Sequence, residues 1–196
     1  MRVNLVSFYL LNFLYKKGKI IMASKEKRPE QLQLRSVKIL TKNFAGINRD
    51  TGKAQYVPSF CVALTEKDAK TLAMQGWDIR LSNPDPETGE KIPYLPILVS
   101  YKIDNGVWDE SDSRNPIVEA HFTDGHVVKH TPNSIKDLDR SRIDICSVAV
   151  TPWWSEKKQL WRGYLQLGKF KVIANDPFAN DPEWQVAKED EPLPFN

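Results

Sequence analysis

Apolar residues recur at every second position through most of the chain, in short runs broken by Gly, Pro, Asn and Asp, a pattern of strands and tight turns. Residues 31–42 place Leu32, Leu34, Val37, Ile39 and Leu40 among bases and read as a first strand. The polar segment 48–53 predicts a hairpin turn. Residues 55–64 follow, with Tyr56, Phe60, Val62 and Leu64 on one face and Val57, Cys61 and Ala63 on the other. Two apolar faces suit a central strand. The period then changes. Thr65 is a predicted N-cap, Glu66 and Asp68 are early acids, and Ala69, Leu72 and Ala73 have helical spacing before Gly76, so a short helix is predicted over 66–75. A strand resumes at 77–81, and 83–91 is a turn rich in Pro and Gly. Residues 92–103 read as a strand in which Pro93 and Pro96 argue for an edge. The loop 104–116 is polar apart from Val107 and Trp108. Residues 117–131 predict a hairpin around Thr123-Asp124-Gly125, and 134–140 one helical turn. The strongest strands are 143–154 and 160–173, joined through Ser155-Glu156-Lys157-Lys158.

About seven to nine short strands with one or two small helices predict a mostly antiparallel β barrel or sandwich. Charge narrows the choice. Over 174–196 six acids stand against Lys188 alone, a net −5, so a chain of net +3 carries +8 before that point. A basic body with an acidic tail is the asymmetry expected of a partner to a polyanion. The predicted fold is therefore mostly β: an OB-fold-like five-stranded Greek-key barrel with extra hairpins and one or two short helices. An immunoglobulin-like sandwich is the alternative, but the Cys–Trp–Cys pattern is missing.

Three regions are expected: 1–30, an N-terminal extension that is disordered or mis-annotated; 31–173, the nucleic-acid-binding body; and 174–196, a disordered acidic tail. The apolar stretch 3–15 is too short and too polar to span a bilayer. The codons for Lys16-Lys17-Gly18-Lys19 must include the purine run of a bacterial ribosome-binding site, a few codons before Met22. Met22 is the expected start. Cys61 and Cys146 lie in apolar strand-like runs without a neighbouring ligand and are expected as free thiols in a reducing compartment.

The last hairpin carries the candidate chemistry. With strict alternation Trp161, Leu165 and Leu167 share the core face, while Arg162, Tyr164, Gln166 and Phe170 share the other. Trp153, Trp154, Lys157 and Lys158 precede them, and Lys169 and Lys171 follow. Bases beside aromatics are what single-stranded nucleic acid needs: cations track phosphates, and ring faces stack unpaired bases without sequence preference. Trp108 is expected to be exposed in its polar loop, and Phe44 before Ala45-Gly46 likewise. The candidate interface is Trp108, Trp153, Trp154, Lys157, Lys158, Trp161, Arg162, Tyr164, Lys169, Phe170 and Lys171, although tryptophans in β proteins also serve as core anchors. No catalytic residue, metal or cofactor is expected. His121, His126 and His130 lack metal-site spacing, and there is no Gly-rich phosphate loop, Gly-x-Ser-x-Gly or His-Glu-x-x-His. A nuclease built on scattered carboxylates, or a virion or host-takeover β-sandwich protein, are the alternatives.

The terminal run Glu189-Asp190-Glu191-Pro192-Leu193-Pro194-Phe195 resembles the acidic C-termini of bacterial and phage single-stranded DNA-binding proteins, except that Asn196 follows the Phe. Further features are similar to the phage-encoded members: the strand 56–64, Ala73-x-x-Gly-Trp77, the Pro-Glu-Thr-Gly-Glu turn before Ile-Pro-Tyr-Leu-Pro, and Trp161-x-Gly-Tyr-Leu165. The resemblance implies a non-enzymatic protein of phage DNA replication and recombination in the cytoplasm of a bacterial host. Its tail would recruit replication or recombination proteins, no membrane would be involved, and self-association into a homo-oligomer is left open.

Overall fold

The computed structural model describes residues 25–48, 51–53 and 56–173. Among the described residues it is a mixed β structure with one α-helix and one 3-10 turn. The strands are β1 (Leu32–Val37), β2 (Ile39–Asn43), β3 (Ser59–Ala63), β4 (Arg80–Leu81), β5 (Pro93–Leu98), β6 (Ile103–Asp104), β7 (Val107–Trp108), β8 (Ile117–Phe122), β9 (Val127–His130), β10 (Arg142–Ser155) and β11 (Leu160–Ile173). The helix α1 is Glu66–Met74, and the 3-10 turn is Ile135–Asp139. The helix begins as its sequence demands. The Thr65 hydroxyl accepts the Asp68 N–H at 3.1 Å and donates to the Asp68 carboxylate at 2.7 Å. Gly76, at φ 87°, ends it by taking a left-handed conformation that other residues avoid.

The β10–β11 hairpin is the spine of the molecule, paired antiparallel along its whole length. The main sheet runs β1-β10-β11-β5-β3-β2. The other edge of β11 is shared between β5, at Gly163 and Tyr164, and β8, from Leu167 to Val172, both in parallel. The sheet is therefore mixed, although its remaining pairings are antiparallel as expected. Its first and last strands, β1 and β2, are consecutive in the chain with Lys38 between them. The predicted strand 31–42 breaks there. Ser36 takes φ 52° and its N–H donates to Ser147 Oγ, while the register with β10 slips between Leu34 and Val37.

Three further expectations change. β5 is interior, bonded to β3, β4 and β11. Its prolines are tolerated because Pro93 opens the strand and Pro96 falls in the gap between the stretch paired with β4 and that paired with β11. Phe44 is 1% exposed, forming a ring triangle with Phe60 and Phe170 at 5.3–5.6 Å. Two hydrogen bonds fix it there: the Asp139 carboxylate accepts the N–H groups of Phe44 and Ala45 at 2.8 Å each.

The third change is in β11. Ala149 pairs with Leu167 but Val150 with Leu165, so Gln166 is an extra residue, a β-bulge. A bulge inverts the alternation beyond it. Trp161, Gly163 and Leu165 point inward before it, and Gly168, Phe170 and Val172 after it. Phe170 therefore belongs to the core, not to the outer face. Close packing explains both glycines: a Cβ on Gly163 would lie 2.7 Å from Val150, and one on Gly168 2.7 Å from the Phe170 ring.

Candidate nucleic-acid interface

The outer face of the β10–β11 hairpin, on the turn side of the bulge, carries exposed Trp153 and half-buried Tyr164. Trp153 is 64% exposed. It stands directly across from Arg162, and its ring meets Tyr164 edge-on at 6.0 Å. Diagonal ring pairs of this kind hold each other's rotamers and leave a face open. Toward the bulge, Thr151 Oγ1 donates to Gln166 Oε1 at 3.2 Å, and the Gln31 amide donates to the same oxygen.

A second wall faces these rings. It is built by the chain after β5 and by the β6–β7 hairpin, a separate two-stranded ribbon closed by Asn105 and Gly106, both at positive φ. Between the walls runs a groove of about 650 Å³. Trp153, Tyr164 and Gln166 line one side, and Tyr101, Lys102, Asp104 and Arg114 the other. Buried Asn115 anchors the ribbon: its side chain accepts the Lys102 N–H at 2.6 Å and donates to the Asp109 carbonyl at 2.9 Å. Tyr101 donates its hydroxyl to the His130 carbonyl at 3.2 Å and meets Trp108 edge-on at 6.3 Å. Burial raises its phenol pKa well above the usual value, so it stays a neutral donor.

The cations of this wall are ion-paired. Arg114 lies 2.5 Å from Asp112 and 3.3 Å from Asp104, and Lys102 lies 3.6 Å from Asp104. Hydrogen bonds from the Arg114 guanidinium and N–H hold the Asp112 carboxyl at about 2.

The expected interface is thus brought together in part. Trp153, Arg162 and Tyr164 share the outer face. Trp154 points to the other side, half-buried against Trp161 at 5.1 Å, with its indole N–H donated to Glu156 at 3.2 Å. Trp161 is 4% exposed and Phe170 fully buried, so neither can stack an incoming base. Trp108 is half-buried against Tyr101 rather than free in its loop. Lys157 is exposed on the hairpin turn, whereas Lys158 donates to the buried Asp78 carboxylate at 2.9 Å, which Arg80 also grips at 2.8 Å. Burial pushes the Asp78 pKa up, but these bonds outweigh it and the carboxyl titrates below its ordinary range. Lys169 and Lys171 lie beyond the bulge, each 3.6 Å from a carboxylate, Glu119 and Asp144 respectively. Sequence reasoning missed Tyr101, Lys102 and Arg114. The first two fell within a predicted strand, and Arg114 within a polar loop whose path no local pattern reveals. The tail 189–195 lies outside the described residues.

Comparison with known families bears on this groove. Residues 22–110 match the family model described as a putative phage ssDNA-binding domain. The resemblance to phage-encoded single-stranded DNA-binding proteins is thereby borne out over that span. The match takes in β1 to β7, and so the wall with Tyr101, Lys102 and Asp104, while the hairpin with Trp153 and Tyr164 lies beyond it. No curated protein and no solved structure matches the chain. Cys61 and Cys146 are both free, and burial pushes the Cys146 thiol up to about 12, leaving it an unreactive core group. Among the described residues no group of three or more His, Cys, Asp and Glu side chains could hold a metal ion, and no helix is long and apolar enough to cross a membrane.

Proposed function

We propose that the chain binds single-stranded DNA with little sequence preference, by stacking bases on Trp153 and Tyr164 while Arg162, Lys102, Arg114 and Lys157 contact phosphates. The observation that carries the reading is the exposed Trp153 ring set against half-buried Tyr164, with Arg162 directly across the strand, in a groove next to a segment that matches a phage ssDNA-binding domain family. Stacking on a ring face suits any base, which is the chemistry of general strand protection. The body is read as an OB-type barrel. On this reading β1 and β2 act as one strand, kinked at Ser36, that pairs with β10 at one end and β3 at the other and joins the ends of the sheet through Lys38. The groove then lies at the turn end of that barrel's last hairpin.

On this proposal the protein is a binding protein rather than an enzyme, and acts on phage DNA in replication or recombination in the host cytoplasm. The acidic run with its terminal Pro-Leu-Pro-Phe recruits replication or recombination proteins, whose basic-rimmed apolar pocket would receive Leu193 and Phe195. The test is a titration of labelled oligo(dT), and of a duplex of equal length, at two salt concentrations. Single strands should bind more tightly than duplex, with affinity falling steeply as salt rises. Equal affinity for duplex, or no salt dependence, would overturn the proposal.

A further inference from the structure

The cations on the second wall of the groove converge on one oxygen. Asp104 Oδ2 lies 3.6 Å from Lys102 Nζ and 3.3 Å from Arg114 Nη2, two side chains from the segments that precede and follow the β6–β7 ribbon. The Asp104 side chain is 62% exposed, and faces the same groove as Trp153 and Tyr164. Arg114 has a second, half-buried partner in Asp112, so it does not need Asp104 to hold its position. Asn115 and the Trp108–Tyr101 contact already anchor the ribbon. Asp104 is therefore an anion placed between two cations, Arg114 held independently by Asp112 and Lys102 anchored through its backbone N–H by Asn115, on the rim opposite the stacking rings.

We propose that Asp104 is a built-in competitor for phosphate: its carboxylate holds the place of a backbone phosphate of a bound single strand and must be displaced when the strand enters. The proposal rests on the groove reading above and names what regulates the groove's affinity. Exposed ion pairs are weak and screened by salt, so the exchange is easy. A phosphate can also offer Arg114 the two-pronged acceptor geometry that a single shared carboxylate oxygen lacks. An isolated phosphate must compete with Asp104 on charge alone. A strand adds stacking on Trp153 and Tyr164, so the competitor favours polymers that supply both. It also keeps affinity below its maximum, which suits a protein that must be cleared from the strand it covers.

The experiment uses the full chain and fluorescein-labelled oligo(dT), followed by anisotropy across a salt series. Asp104→Asn should bind roughly three- to tenfold more tightly at low salt, since one repelling charge beside the phosphate is removed. The slope of log affinity against log salt should steepen by about 0.7, because no liberated carboxylate then takes up a cation. Asp104→Glu should stay close to wild type. Adding Lys102→Ala and Arg114→Ala to Asp104→Asn should abolish the gain. Unchanged or weaker binding by Asp104→Asn would overturn the proposal, as would a gain that survives loss of both cations. Trp153→Ala measured alongside separates the two readings. If it weakens binding while Asp104→Asn does nothing, the groove stands and the competitor does not; if neither matters, the groove falls as well.

Discussion

Replacing Trp153 with alanine removes the most exposed ring of the groove while disturbing little else. Nearly two thirds of the side chain is in solvent, and its principal neighbour is the Tyr164 ring at 6.0 Å. Truncation opens no core cavity, and the lost cross-strand contact is worth about 1 kcal/mol or less. The folded population should therefore be unaffected. Binding should not be. A base stacked on an aromatic ring contributes about 1–3 kcal/mol, which corresponds to a rise in Kd of roughly 5- to 150-fold. Because the substitution removes an intrinsic fluorophore, the assay is anisotropy of labelled oligo(dT), with thermal melting as a fold control. Trp161→Ala provides the contrast. That ring is buried against Trp154, so its truncation should cost about 3–5 kcal/mol of stability and affect DNA binding only through unfolding. A folded Trp153→Ala protein whose Kd is within twofold of wild type would refute the stacking argument.

Three other outcomes are expected. Phe170→Ala removes one corner of the Phe44–Phe60–Phe170 triangle and should lower stability by about 3–5 kcal/mol, visible in urea melts; a silent substitution would mean that the bulge at Gln166 does not turn this ring inward. Asp78→Asn unpairs Lys158 and Arg80 and should destabilise by about 1–3 kcal/mol near neutral pH. The Asp78 pKa is depressed in the folded state, so its contribution is present above the ordinary carboxylate value of about 3.9 and is lost as pH falls through the lower folded value. The melting gap between wild type and variant should accordingly narrow below about pH 4, and a gap constant from pH 7 to pH 3 would contradict the ion-pair account. Deleting 174–196 should leave DNA affinity equal or higher, since a net charge of −5 is removed, while capture of replication or recombination proteins is lost; a large fall in affinity would contradict the recruiting role.

Much of the strand-and-turn order was legible along the chain. Alternating apolar residues, the Thr65 cap and the Gly76 stop mark elements whose preferences are local, set by backbone sterics and by which side chains avoid water. The helix 66–75 and the long final hairpin follow from that alone, as does the pairing of exposed aromatic and base at Trp153, Arg162 and Tyr164. The acidic character of the tail is likewise a matter of composition.

The sheet's neighbours and the second half of the groove were decided only by tertiary packing. Gln166 carries no mark of a bulge, yet the extra residue inverts every side chain beyond it and sends Phe170 into the core. Lys158 looks like a free base until Asp78, distant in sequence, meets it across the fold. Pro93 and Pro96 argue for an edge strand until the gap between β4 and β11 absorbs the missing donor. Tyr101, Lys102 and Arg114 became candidates only where the ribbon came to lie opposite the hairpin. A residue's own φ/ψ and solvent preferences are written at its position in the chain, whereas its partner depends on loop closures and register that no single segment encodes.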